Sequence, residues 1–201
     1  YLLKEKGIET ANILTIHNLA YQGIYPKEIV NDLLKTNFDK EVNSLKVGIQ
    51  SADLISTVSP TYAKEILTPE YGFNLEEELA KREDDLVGII NGLDIDYWNP
   101  KTDPHINSNY SFSNVENREK NKEFLQQKFF GKTNKNIPLL GIVSRIADQK
   151  GFDLIEEIFD SLMEEDIQLV ILGTGVKRYE NFLSEMAKKY PEKFGLETTF
   201  N

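Results

Sequence analysis

Residues 138–163 read "PLLGIVSRIADQKGFDLIEEIFDSLM". An apolar run of strand length, Pro138 to Ser144, gives way to a short polar loop. In the stretch after the loop, Phe152, Ile155, Phe159 and Leu162 fall on one helical face, and Leu154, Ile158 and Met163 widen it. Strand, short loop and amphipathic helix in that order begin a βαβ unit. The rhythm continues with a strand in "QLVILG" (168–173), a helix in "YENFLSEMAKKY" (179–190) and a further strand in "KFGLETTFN" (193–201).

The same alternation precedes it. "NILTI" (12–16) reads as a buried strand, and Phe38 to Gln50, with Val42, Leu45 and Ile49, reads as an amphipathic helix. "ADLISTVS" (52–59) predicts a strand. Ser59 then supplies a helix cap and Pro60 the first helical position of "PTYAKEIL". "LVGII" (86–90) predicts another strand. Strands separated by helices imply parallel sheets covered on both faces. Between Asn91 and about Lys135 the pattern breaks. "NGLDIDYWNPKTDPHINSNYSFSN" is rich in Asn, Pro, Asp and Ser and reads as connection. A charged helix, "VENREKNKEFLQQKFFG", follows, with Gly131 as its stop. The expected organisation is an α/β chain with parts of two domains, residues 1–91 and 92–201.

Of the 201 residues, 40% are hydrophobic and 28% charged, which suits a globular chain, and no apolar run is long enough to span a bilayer. With no cysteine there is no disulfide framework and no thiolate metal site, so the cytoplasm is the expected location. A net charge of -10, from 33 acidic against 23 scattered basic residues, argues against nucleic acid as a partner. A small anion needs only a local pair of cations.

"SRIADQKGFD" (144–153) offers such a pair, Arg145 and Lys150, on a loop that leaves a strand's carboxyl end and enters a helix. Ligands of open parallel sheets sit at such ends, and a helix N-terminus favours an anion. A guanidinium fork plus a mobile ammonium would match a diphosphate. The competing reading is an ordinary solvated loop. His17, in "LTIHNLAYQGIYP", also follows a strand, with Asn18, Tyr21 and Gln22 close behind. Imidazole, amides and a ring suit a hydroxyl-rich sugar, although a histidine tied into its own loop fits equally well. His105 reads as solvated. Asp94 and Asp96 have a spacing seen in divalent-cation sites, but it recurs by chance, and no metal site is expected. "ILGTG" (171–175) opens like a dinucleotide fingerprint, yet Arg178 stands where its third glycine belongs. This excludes a nicotinamide site and leaves Gly173 and Gly175 as places where backbone could approach a ligand. Asn91-Gly92 could turn a hairpin, but its flanks fit an interdomain connector better.

"TIHNLAYQG", "TVSPTYAKEI", "GIINGLDIDYWNP" and "VSRIADQKGFD", in this order, resemble the ADP-glucose-dependent starch/glycogen synthase family as found in bacterial glycogen synthase. The resemblance implies a GT-B glycosyltransferase, parts of two Rossmann-like domains with parallel sheets flanked by helices. Residues 1–91 would belong to the acceptor domain and 92–201 to the connector and the nucleotide-sugar domain. It implies transfer of glucose from ADP-glucose, a substrate rather than a cofactor, to the nonreducing 4-OH end of an α-1,4-glucan such as glycogen, with retention. Arg145 and Lys150 match the family's diphosphate-neutralising pair, and His17 the histidine beside the donor glucose. Asn91 matches an asparagine at the cleft, and Asn18, Tyr21 and Gln22 fall on the sugar or acceptor side. Phe200 falls where the adenine pocket begins, although Thr199 stands where glycine is usual. The family's Lys-Thr-Gly-Gly loop, an early aspartate and a paired-glutamate segment have no counterpart here. The resemblance therefore implies an internal piece of a longer protein, also suggested by "YLLKEKG" reading as a helix's last turn. Alone it would be inactive and poorly folded, with its strand edges uncovered. The other readings are a UDP-glucose transferase of sucrose-synthase type and a non-catalytic glucan-binding module.

Overall fold

In the computed structural model, which describes residues 1–199, the chain divides into two compact units, 1–93 and 94–201. In the first, α1 (Leu2–Glu5) precedes β1 (Ile13–Ile16). β2 (Ile24–Tyr25), α2 (Lys27–Leu34), β3 (Val42–Asn43) and α3 (Ser44–Ser51) follow. β4 (Leu54–Thr57), α4 (Pro60–Glu65), α5 (Glu76–Ala80) and β5 (Leu86–Gly88) complete it. The strands form a parallel sheet in the order β1-β4-β5, with Ile13 opposite Leu54 and Ile55 opposite Leu86. Aliphatic side chains make the core, among them Ile16, Leu19, Ile49, Ile55, Ile66 and Leu79. Burying such side chains stabilises each by about 1.5–3 kcal/mol.

Local chemistry sets the boundaries. Ser59 caps α4 as expected, its hydroxyl accepting the N–H groups of Thr61 and Tyr62 at 3.1 Å, with Pro60 in the first turn. The helix expected from Phe38 begins only at Ser44, because Asn43 Oδ1 accepts Lys46 N–H at 3.0 Å and caps it there. Val42 is extended, pairing with Tyr25 in a two-stranded antiparallel ribbon. Two further expectations are corrected. β1 is not buried throughout: it ends the described sheet order and leaves Ile13 67% exposed, while Ile16 enters the core. "LVGII" is a strand only through Gly88; Ile89 N–H still reaches Thr57 O at 2.7 Å, but Ile90 is 74% exposed.

The second unit opens with a largely irregular segment and a three-ten turn (Phe112–Asn117) before α6 (Arg118–Phe130), which stops at Gly131 in the left-handed conformation. β6 (Leu139–Val143), α7 (Phe152–Glu164), β7 (Gln168–Leu172), α8 (Lys177–Lys189) and β8 (Phe194–Glu197) follow. Their sheet is parallel in the order β6-β7-β8, with Leu139 opposite Gln168 and Leu169 opposite Phe194. Its core is aromatic. Phe159 meets Phe194 and Phe182 edge to face, centroids 4.9 and 5.5 Å apart, beside buried Phe152, Ile171 and Tyr179. Coverage of both faces does not extend to β6, where Val143 is 78% exposed. The polar helix α6 is fixed by an amide network. Buried Gln126 donates to Gln168 Oε1 at 2.7 Å and to Asn134 O, while its own oxygen accepts Asn134 N–H.

Candidate functional site

In the second unit the chain leaves β6 at Ser144 and runs alongside the residues that leave β7. Ser144 N–H reaches Leu172 O at 3.2 Å, Ile146 N–H reaches Thr174 O at 2.9 Å, and Val176 N–H reaches Ile146 O at 2.8 Å. Two glycines permit this approach. A Cβ on Gly173 would lie 1.9 Å from Ser144 O, and one on Gly175 would lie 2.0 Å from Ile146 O. The glycine pair of "ILGTG" thus has a packing reason. Gly175 N–H is in turn bonded to Glu180 Oε1 at 2.8 Å. That bond, and then Lys177, hold the Glu180 carboxyl below its ordinary range.

Ile146, 0% exposed, pins the middle of the loop in the core, and Phe152 pins its far end. Between them Asp148–Lys150 form a three-ten turn that ends on left-handed Gly151, which opens α7. Alternation on this pinned loop leaves Arg145 and Lys150 exposed. Among the described residues neither the Arg145 guanidinium nor the Lys150 ammonium has a hydrogen-bond or ion-pair partner. Several other cations of this unit are paired, Lys128 with Glu197 at 2.9 Å, Lys132 with Glu192 at 2.8 Å, Lys189 with Asp160 at 2.9 Å, and Arg178 with Glu156, while others such as Lys120 and Lys188 stand in no ion pair among the described residues. Arg145 lines a cavity of about 190 Å³ at the carboxyl ends of β6 and β7, with Ser144, Gly173, Thr174 and Thr199. A guanidinium, two hydroxyl-bearing threonines and close-approaching backbone can hold an anion with several oxygens. Lys150 stands at the start of α7, where free N–H groups favour the same charge.

In the first unit, His17 follows β1 and is exposed. Asn18 accepts Ala20 N–H at 3.0 Å with its side chain, and Leu19 N–H donates to Tyr62 Oη at 3.2 Å while the Leu19 side chain is buried. Tyr21 and Gln22 line an open cavity of about 760 Å³ with Ile24, Phe73 and Asn74. Tyr21 presents an exposed ring. Gln22 is otherwise engaged: its amide donates to Phe73 O at 2.8 Å and accepts from Asn43. Through these bonds it braces Phe73 and Asn74, both held at positive φ. Asn91 is exposed in the segment after β5, which forms no hairpin. Asp94 Oδ1 accepts Asp96 and Tyr97 N–H groups, a local turn, and no cluster of three metal-ligating acids or histidines exists among the described residues. Phe200 lies outside the described residues. Asp148, Thr174 and Tyr179, which lie in or beside the Arg145 loop or its cavity, carry no sequence signal that singles them out. Tyr179 sits in the first turn of α8, and its apolar spacing with Leu183 and Met186 disguises a hydroxyl that reaches the loop.

Parallel sheets flanked by helices, with loops gathered at strand carboxyl ends, make this an α/β chain, and its likeness to a solved starch synthase domain assigns it to the GT-B class of fold. Residues 1–81 match the family model described as the starch synthase catalytic domain. A glycogen synthase of Bacillus licheniformis is 43% identical over 96% of this chain, which covers 43% of that relative. One of Clostridium novyi is 44% identical over 94%, covering 42% of it. The catalytic domain of Starch Synthase IV from Arabidopsis thaliana, bound to ADP and acarbose, superposes with a TM-score of 0.86 at 27% identity. That match takes in 98% of this chain and 44% of that one. Over nearly its whole length the chain is similar to starch and glycogen synthases, and it spans less than half the length of these relatives.

Proposed function

We propose that this chain serves a glycogen synthase that transfers glucose from ADP-glucose to the nonreducing 4-OH end of an α-1,4-glucan, with retention at the anomeric carbon. The observation that carries the proposal is the unpaired cation pair, Arg145 and Lys150, on a pinned loop at the carboxyl ends of a parallel sheet. Breaking the donor's glycosidic bond leaves ADP, so negative charge grows on the β-phosphate. A guanidinium and an ammonium held there stabilise the transition state more than the bound donor, which lowers the barrier. The pair supplies the charge the step needs, so the proposal assigns no metal or other cofactor. Gly173 and Gly175 bring backbone close to the diphosphate, and Phe200 is assigned to the adenine side. His17 is assigned to the donor sugar, where it would hold the ring and favour positive charge at the anomeric carbon. Asn18, Tyr21, Gln22 and Asn91 are assigned to the sugar and acceptor side, Gln22 by bracing the loop at Phe73. The absence of cysteine supports a cytoplasmic setting, and no helix among the described residues is long and apolar enough to cross a membrane.

The test is transfer of labelled glucose from ADP-glucose and UDP-glucose to glycogen. It would use this chain and a chimaera in which it replaces the matching segment of the Bacillus licheniformis relative. The chimaera should turn over ADP-glucose, lose at least about 100-fold in rate with Arg145→Ala, and this chain alone should not turn over. Preference for UDP-glucose would point to a sucrose-synthase-like donor. Glycogen binding with neither donor used would leave a non-catalytic glucan-binding module.

A further inference from the structure

The cavity beside Arg145 is bordered by the loops that leave β6 and β7, and both are tied to the first turn of α8. Buried Tyr179, 2% exposed, donates its hydroxyl to Asp148 Oδ1, in the three-ten turn that ends at Lys150. Its neighbour Glu180 takes Gly175 N–H. The Tyr179 ring packs on Phe152, centroids 6.3 Å apart, just beyond the turn. The turn closes on itself through Lys150 N–H to Ala147 O at 2.9 Å and Gly151 N–H to Asp148 O at 2.8 Å. The bond to Asp148, then burial, push the Tyr179 hydroxyl up to about 12, so it remains a donor throughout the physiological range.

We propose that Tyr179 and Asp148 are positioning residues, whose hydrogen bond fixes the Asp148–Lys150 turn so that Lys150 and Arg145 meet a bound diphosphate in one geometry. The proposal rests on the diphosphate reading of the loop. A carboxylate near an anion site repels the ligand, so Asp148 is the wrong charge for direct contact. Its Oδ1 is bonded to a buried hydroxyl, which makes it an anchor for the turn. Lys150, two residues on, has a long flexible stem, and losing the anchor would let its cation wander over more positions, weakening its grip.

The experiment pairs amide hydrogen exchange with calorimetric titration of ADP, on the chimaera in which this chain replaces the matching segment of the Bacillus licheniformis relative. In Tyr179→Phe, which changes no charge, the Lys150 and Gly151 amides should exchange about fivefold faster and the ADP dissociation constant should rise about fivefold, the scale of one lost hydrogen bond. The β7 amides should be unchanged. Asp148→Asn keeps an acceptor for the hydroxyl and removes a repelling charge, so exchange should stay as in the wild type and ADP should bind equally or more tightly. Asp148→Leu should speed exchange as Tyr179→Phe does. Unchanged exchange in Tyr179→Phe overturns the proposal, and so does faster exchange with unchanged ADP affinity when Arg145→Ala has lost it. If Arg145→Ala also leaves ADP affinity unchanged, the diphosphate reading itself falls, and any exchange effect then reports only a structural tether.

Discussion

The loops that follow the first strand of each unit's sheet are held by different means. After β6 the chain is joined to its neighbour by backbone hydrogen bonds at Ser144 and at both the N–H and the C=O of Ile146, and two glycines give up their side chains to let it approach. After β1 side chains hold the start of the loop, where Asn18 closes its own turn, Tyr62 receives Leu19 N–H and Gln22 reaches Phe73 and Asn43, while backbone bonds from Ser44 and Leu45 N–H to Gly23 O and Gln22 O hold its far end. A backbone join has few alternative arrangements and suits two cations that must face one diphosphate. Side-chain ties leave room for rotamer adjustment, which suits sugar units that arrive in varied positions. The cores differ in parallel, aromatic around β7 and aliphatic around β4.

The contrast is most easily broken at the aromatic core. Phe159→Ala removes a ring that meets two others edge to face, and should cost the second unit about 3–5 kcal/mol. Chemical denaturation followed by amide exchange should locate the loss in β6–β8. An equal loss of protection in β1, β4 and β5 would show that the cores are not separate. Gln126→Leu comes next, since it strands the Asn134 N–H and leaves Gln168 without its donor; about 2 kcal/mol should go from the same unit. Ser59→Ala tests the first unit and should cost about 1 kcal/mol, through two freed N–H groups of α4.

The smallest effect at neutral pH separates the units by acidity. Hydrogen bonds from Gln50 and Lys46, and then the Lys46 and Lys81 charges, hold Glu78 down to about 2 from 4.5. A depressed carboxyl contributes stability that is complete above pH 4.5 and is lost as pH falls through about 2. Glu78→Gln should therefore flatten the acid dependence of first-unit protection in that window and lower its pH 7 value modestly, by less than about 1 kcal/mol as for a largely surface charge network, toward the level the wild type reaches in acid. A steeper acid loss in the variant would contradict the assignment.

Much of this was legible from residue order. Ser59-Pro60 and Gly131 marked helix ends because caps and left-handed stops are local chemistry, and the period of Phe152–Met163 marked α7. What escaped the sequence was set by contacts distant along the chain. Asn43 starts α3 six residues after the apolar period suggests, because an extended pairing with Ile24 takes the preceding stretch. Ile13 looked buried because apolar β-branched runs read alike whether a strand has one covered face or two. At the candidate site, the cations stood out as residue types in a loop. The tie from Tyr179 to Asp148 spans 31 positions and could not be read from spacing. Gln22 read as a sugar contact because amides suit sugars; its partners, Phe73 and Asn43, are visible only in the fold.

The most direct test of the central claim compares ADP with adenosine as ligands for the chimaera carrying this chain and for its Arg145→Ala and Lys150→Ala variants, by titration calorimetry at two salt concentrations. The account predicts that each substitution weakens ADP at least about tenfold, as expected for a lost charge-assisted contact, and lowers its salt sensitivity while leaving adenosine unchanged. ADP and adenosine weakened alike, or ADP affinity untouched by either substitution, would contradict it.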